Sequence, residues 1–206
     1  VSVADLFYYE RSLDFRDGLL RRSLEWRTPA GKRVLIDFTR MVSLTDRHLG
    51  IEEVRIVLPE DSAPVVLSSQ ILNRQDGQDE FGSASDPDRF VATEGAPQGS
   101  VNRGSDPRRA DHFQSRVLVP LLQVDEGERI KLGYRVANSG MALAVGADHD
   151  FSTANDFYIS SVAHSDMAKV QYHVDARPGQ EIVLIKYFSY HDSRRASVCL
   201  LYTSPS

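Results

Sequence analysis

Between Tyr9 and Leu49 the chain reads YERSLDFRDGLLRRSLEWRTPAGKRVLIDFTRMVSLTDRHL, three strand-like segments broken by Asp17-Gly18 and by Pro29-Ala30-Gly31. This stretch constrains the fold most, because apolar residues recur at every second position. A pleated strand presents alternate side chains to opposite faces, whereas a helix would need a period near 3.6. Phe7, Tyr9, Leu13 and Phe15 fall in one phase, with Arg11 as the exception. Leu20, Leu24 and Trp26 share a phase with Arg22 on the next segment. Arg16-Asp17-Gly18 between them is a hairpin signal, since glycine takes the positive φ that tight turns require. Val34, Ile36 and Phe38 alternate, and a change of phase is read before Val42 and Leu44, which predicts a bulge near Arg40-Met41. A similar slip is read between Leu49-Ile51 and Val54-Ile56-Leu58.

The same style continues downstream. Strands are predicted over 65–72, over 116–122 (with Pro120 marking an edge or a bulge), over 130–136, 141–145, 157–162, 170–174 and 182–188. No sustained helical period with caps occurs; at most one turn forms around 105–112. Many short strands separated by Gly, Pro and Asp predict an all-β fold, and in a chain of 206 residues two large packed antiparallel sheets rather than a closed barrel. The segment from Asn73 to Ser115 breaks the rhythm. It is rich in Gly, Ser, Asp and Arg and has almost no apolar run. Such a segment does not recover its ordering entropy by burial, so residues 73–115 are expected to be mobile, or held by something outside this fold.

Composition excludes several classes. A formal net charge of -5 argues against nucleic acid, which favours a basic face. No apolar run approaches the roughly 20 residues needed to cross a bilayer, so no membrane partner is expected. The single cysteine, Cys199, allows no internal disulfide and fits a reducing compartment, so a cytoplasmic location is expected. Both ends are expected to be cut. The closing run 198–206 resembles a translated adapter read-through and is expected to be a non-native tail, with a short apolar strand as the alternative.

Three His-Asp neighbours invite a metal or catalytic reading: Asp111-His112, Asp148-His149-Asp150 and His191-Asp192. In a strand Asp148 and Asp150 share a face and His149 takes the other, so they do not converge locally. Zinc-type histidine spacing and cysteine pairs are absent, and no metal site is assigned. His191-Asp192-Ser193 reads as the start of a loop. Asn73-Arg74-Gln75-Asp76-Gly77 closes a strand with amides, a guanidinium and a carboxylate, groups suited to sugar hydroxyls but also to an ordinary turn. Tyr8, Tyr9 and Trp26 offer a stacking platform for a sugar ring, against which stands core or sheet-face packing. Paired carboxylates for glycoside hydrolysis cannot be picked from spacing. Phosphate-binding glycine loops, a nucleophile elbow and a Cys-His pairing are all absent.

Five blocks carry a resemblance: Tyr9–Gly18 (YERSLDFRDG), Arg40–Leu49 (RMVSLTDRHL), Asp106–Pro120 (DPRRADHFQSRVLVP), Leu132–His149 (LGYRVANSGMALAVGADH) and Lys186–Asp192 (KYFSYHD). In this order they resemble the amino-terminal domain of glycoside hydrolase family sixty-five, the maltose, kojibiose and trehalose phosphorylases. The resemblance implies a large β-sandwich of the galactose-mutarotase-like super-sandwich type over residues 1–197, with its first strands upstream of Val1. It further implies an (α/α)6 catalytic barrel elsewhere in the same full-length protein, an α-linked disaccharide as substrate, inorganic phosphate as co-substrate, no organic cofactor, and a possible homodimer. Because phosphate is already an anionic nucleophile, such an enzyme needs one carboxylic acid, which the family carries on the barrel. No catalytic residue is therefore assigned here. The turn Asn73, Arg74, Gln75 and Asp76 is the candidate for reaching the active-site mouth. Two other readings stand beside this one: a free-standing carbohydrate-binding sandwich, and a mutarotase-like sugar enzyme with a histidine and a carboxylate meeting on a concave sheet.

Overall fold

The computed structural model describes residues 6–73 and 117–194. In chain order the strands are β1 (Leu6–Asp14), β2 (Leu19–Arg27), β3 (Arg33–Val42), β4 (Leu49–Val57), β5 (Ala63–Leu72), β6 (Leu118–Glu126), β7 (Arg129–Val136), β8 (Ala142–Thr153), β9 (Asp156–Ala163), β10 (Met167–Ala176) and β11 (Ile182–Asp192). No helix occurs among the described residues. One sheet has eight strands in the order β1-β2-β3-β4-β11-β8-β7-β6, and a second has three in the order β5-β10-β9. All pairings are antiparallel.

The alternation read from the sequence is what buries the core. Along β10, Ala168, Val170, Tyr172, Val174 and Ala176 are buried in strict alternation. They meet Ile130, Leu132 and Tyr134 of β7 and Ile182 and Leu184 of β11 in one cluster between the sheets. Burying an aliphatic or aromatic side chain of this size contributes about 1.5–3 kcal/mol, so these few positions carry much of the driving force. Among the described residues five glycines, Gly18 after β1 being one, adopt positive φ at the turns.

Several expectations are corrected. The two sheets are unequal, so the small one covers part of the large one only. The arm built from β1 and β2 is left open, with Phe7, Tyr8, Tyr9 and Leu13 all about half exposed and Phe15 and Leu44 almost fully so. No bulge occurs near Arg40-Met41, because the register of β3 with β2 and with β4 is continuous through both residues. Val42 and Leu44 are in phase with Val34, and the polar Arg40 between them pairs with Glu52 at 2.7 Å. β4 is regular too: Leu49 and Ile51 lie on the opposite face from Val54 and Ile56 without any slip. Irregular register appears instead between Leu6 and Tyr8 and between Pro120 and Leu122, the second on the edge strand β6, as its proline signals. β8 runs on to Thr153 and β11 to Asp192, so His191 sits in a strand opposite Ala144 and does not open a loop.

Candidate functional site

The face of the eight-stranded sheet turned away from the small sheet carries a cavity of about 590 Å3. Its floor follows from β8. Ala144, Gly146, Asp148 and Asp150 share one phase there, so two small residues are followed by two carboxylates. Gly146 lies between Lys131 of β7 and Ser189 of β11, its direct cross-strand partners. With no side chain at the centre, the neighbours form walls around a gap.

Each wall is held by defined contacts. Arg129 donates to Asp148 Oδ2 from Nη2 at 2.7 Å and from Nε at 3.0 Å. The hydrogen bond to Asp148 is the main cause that raises the guanidinium pKa. The Tyr187 hydroxyl donates to Asp150 Oδ2 at 3.1 Å, and that bond pushes the phenol pKa up. At the other end His48 stacks on His191 with centroids 4.5 Å apart and 27° between planes. Asp46 sits in the β3–β4 turn, where its carboxylate accepts from the His48 backbone N–H at 3.1 Å. Neither imidazole of this stack is hydrogen-bonded to a carboxylate among the described residues, so no acid-imidazole couple is assembled. No group of three or more His, Cys, Asp or Glu side chains among the described residues is placed to hold a metal ion.

The candidates read from the sequence separate. Asp148 and Asp150 line the cavity, whereas His149 points inward and is buried. Its Nδ1 donates to the Glu128 carbonyl at 2.5 Å and its Nε2 accepts from Ser69 Oγ at 2.7 Å. Burial, the larger effect, lowers the imidazole pKa, so this is a neutral core histidine. Beside it on β11, Lys186 donates to the Gln70 carbonyl at 3.0 Å across the sandwich, and burial lowers its pKa too. Asn73 is bound to the β9–β10 turn: its side-chain amide donates to Asp166 Oδ1 at 2.9 Å and its backbone N–H to the Asp166 carbonyl at 2.8 Å. Asn73 does not line the cavity. Arg74, Gln75, Asp76, Asp111, His112 and Cys199 lie outside the described residues. Tyr8 and Tyr9 are exposed on β1, and Trp26 packs against the core. Sequence reasoning missed Arg129, Lys131, Tyr187, Ser189 and His48. The legible signal was Ala144 and Gly146 in phase with two aspartates.

Comparison with known proteins decides the family. The family model for glycosyl hydrolase family 65, N-terminal domain, matches residues 1–203. The chain belongs to this family. The resemblance carried by the five sequence blocks is thereby borne out, as is the all-β sandwich it implied. An uncharacterized glycosyl hydrolase of Mycobacterium tuberculosis is 29% identical over 194 residues, covering 92% of this chain and 21% of that protein. The α,α-trehalose phosphorylase of Thermoanaerobacter brockii is 23% identical over 189 residues, with the same shares. A kojibiose phosphorylase of Halothermothrix orenii is 36% identical over 61 residues, covering 30% of the chain and 8% of that protein. The family 65 domain thus spans about a fifth of the length of the curated relatives it matches over most of its sequence. A solved structure assigned as a kojibiose phosphorylase from the human microbiome superposes with a TM-score of 0.63 at 12% identity. It covers 91% of this chain and 19% of that one, and supports the fold alone.

Proposed function

We propose that this domain is the non-catalytic amino-terminal sandwich of an inverting enzyme that cleaves an α-linked disaccharide by phosphorolysis or hydrolysis. Its work is to brace an (α/α)6 barrel in the same polypeptide. The observation that carries this reading is the family match over residues 1–203, in a chain that covers only 21% of relatives such as the trehalose phosphorylase. The site chemistry agrees. Asp148 accepts two hydrogen bonds from Arg129 and Asp150 accepts one from Tyr187, so the structure uses both as acceptors. Inorganic phosphate would serve the whole enzyme as co-substrate, with no organic cofactor, in the cytoplasm and as a homodimer. The turn opened by Asn73, with Arg74, Gln75 and Asp76, is our proposal for the part of this domain nearest the sugar.

A mutarotase-like activity is disfavoured, because His48 and His191 stack on one another and neither engages a carboxylate among the described residues. The test is turnover. The purified chain, given phosphate with maltose, trehalose or kojibiose, should release no glucose 1-phosphate, while a longer protein that joins it to the barrel should. Turnover by the chain alone would sink the proposal.

A further inference from the structure

We infer that the cavity over Ala144 and Gly146 is a binding site for a neutral saccharide of one or two rings. Its volume of about 590 Å3 falls in the range of roughly 300–1,000 Å3 common for small-molecule sites. The lining is of mixed sign: Asp46, Asp148 and Asp150 stand against Arg129 and Lys131. An anion would meet three carboxylates, and a simple cation would meet a guanidinium and an ammonium. A neutral ligand rich in hydroxyls suffers from neither, since each hydroxyl both donates and accepts.

Spare hydrogen-bonding capacity surrounds the gap. Asp150 Oδ2 takes the Tyr187 hydroxyl, while Asp150 Oδ1 has no partner among the described residues. The Lys131 ammonium and the Ser189 hydroxyl have none among them either. Both flank Gly146, where an added Cβ would lie 3.5 Å from Lys131 Cγ and 3.9 Å from Ser189 Oγ. The floor between them is apolar, formed by Ala144 and Leu122, and the stacked imidazoles of His48 and His191 close one end. Apolar ground for the C–H face of a pyranose ring, ringed by directional donors and acceptors, is the lining such a ligand needs. The site stands independently of the bracing role, since every group in it belongs to this chain's described residues.

The test titrates the chain with glucose, maltose, trehalose and inorganic phosphate by calorimetry and saturation-transfer NMR. Saturable binding of at least one of the three sugars, and none of phosphate, is expected. Gly146→Val fills the floor with a residue that suits a strand, and its first carbon meets only ordinary van der Waals contacts. It should abolish binding while the melting temperature holds. Asp150→Ala, which removes a wall without adding bulk, should weaken binding at least about tenfold. Tyr158→Ala, at the exposed Tyr158–His173 stack on the small sheet, should leave binding unchanged. The inference is overturned if no sugar binds, if phosphate binds in its place, if a folded Gly146→Val protein binds as the parent does, or if Tyr158→Ala is the change that removes binding. Glucose 1-phosphate release by the longer protein tests the bracing role separately, so the two can fail apart.

Discussion

Gly50 of β4 sits directly opposite Phe188 of β11. A Cβ built on it would lie 2.5 Å from Phe188 Cε2 and 3.0 Å from Cε1, and closer still to Cζ. Carbon atoms in good contact stay about 3.5–4.0 Å apart, so an added methyl forces the ring out of its place against the core. The backbone of Gly50 is not left-handed, so in open space Gly50→Ala would stabilise the protein by about 0.4–1 kcal/mol through the unfolded chain. Overpacking of this kind costs about 1–3 kcal/mol. The net expectation is a loss of up to about 2.5 kcal/mol, a fall of up to about 10 °C for a chain of this size. Phe188→Leu deletes Cε1, Cε2 and Cζ, the three atoms that the methyl meets. Gly50→Ala should therefore be neutral or stabilising when introduced into Phe188→Leu. Urea denaturation of the four proteins of this cycle measures the reversal. A destabilisation of equal size in both backgrounds would refute the reasoning, because the cost would then not come from the ring.

Burial holds the His149 pKa below its ordinary 6.5, so the unfolded chain takes up a proton before the folded one does. Stability should therefore fall as pH drops through 6.5, by at most about 1.4 kcal/mol per pH unit until the folded histidine itself titrates. Denaturation at several pH values should show this slope reduced in His149→Gln. Asn73→Ala removes the bond to Asp166 and should cost about 1 kcal/mol, seen as a lower urea midpoint with an unchanged slope. β1, an edge strand among the described residues, should drive self-association, and Leu13→Lys, at a half-exposed position, should shift sedimentation toward monomer without lowering the melting temperature.

The sheet-forming segments were legible because period-two alternation is local. Ile130, Leu132 and Tyr134, or Val170, Tyr172 and Val174, declare a buried face wherever they fold. Gly18 and Pro120 likewise announced a tight turn and an irregular edge from their own covalent geometry. The far half of β8 was not legible. Gly146, Ala147, Asp148 and His149 have weak strand propensity, and pairing with β11 along the whole segment and with β7 at Gly146 and Ala147 keeps them extended. The slip read into β4 came from assuming that every apolar residue faces the core, whereas in β3 Val34, Ile36, Phe38 and Val42 keep a single phase and need no bulge. A small sheet that covers only part of a large one leaves Val42 and Leu44 outside, and no local pattern records that.

The same division holds for the site. Sequence determined that His149 opposes Asp148 and Asp150, since adjacent side chains on a strand point apart. Tertiary structure decided that His149 is a core residue bonded to Ser69, 80 positions away. It also decided that Arg129, Tyr187 and His48 stand around one hollow with the two aspartates. Which strands become neighbours depends on free energy summed over the whole sandwich, and the chemistry gathered at a sheet face depends on that choice of neighbours.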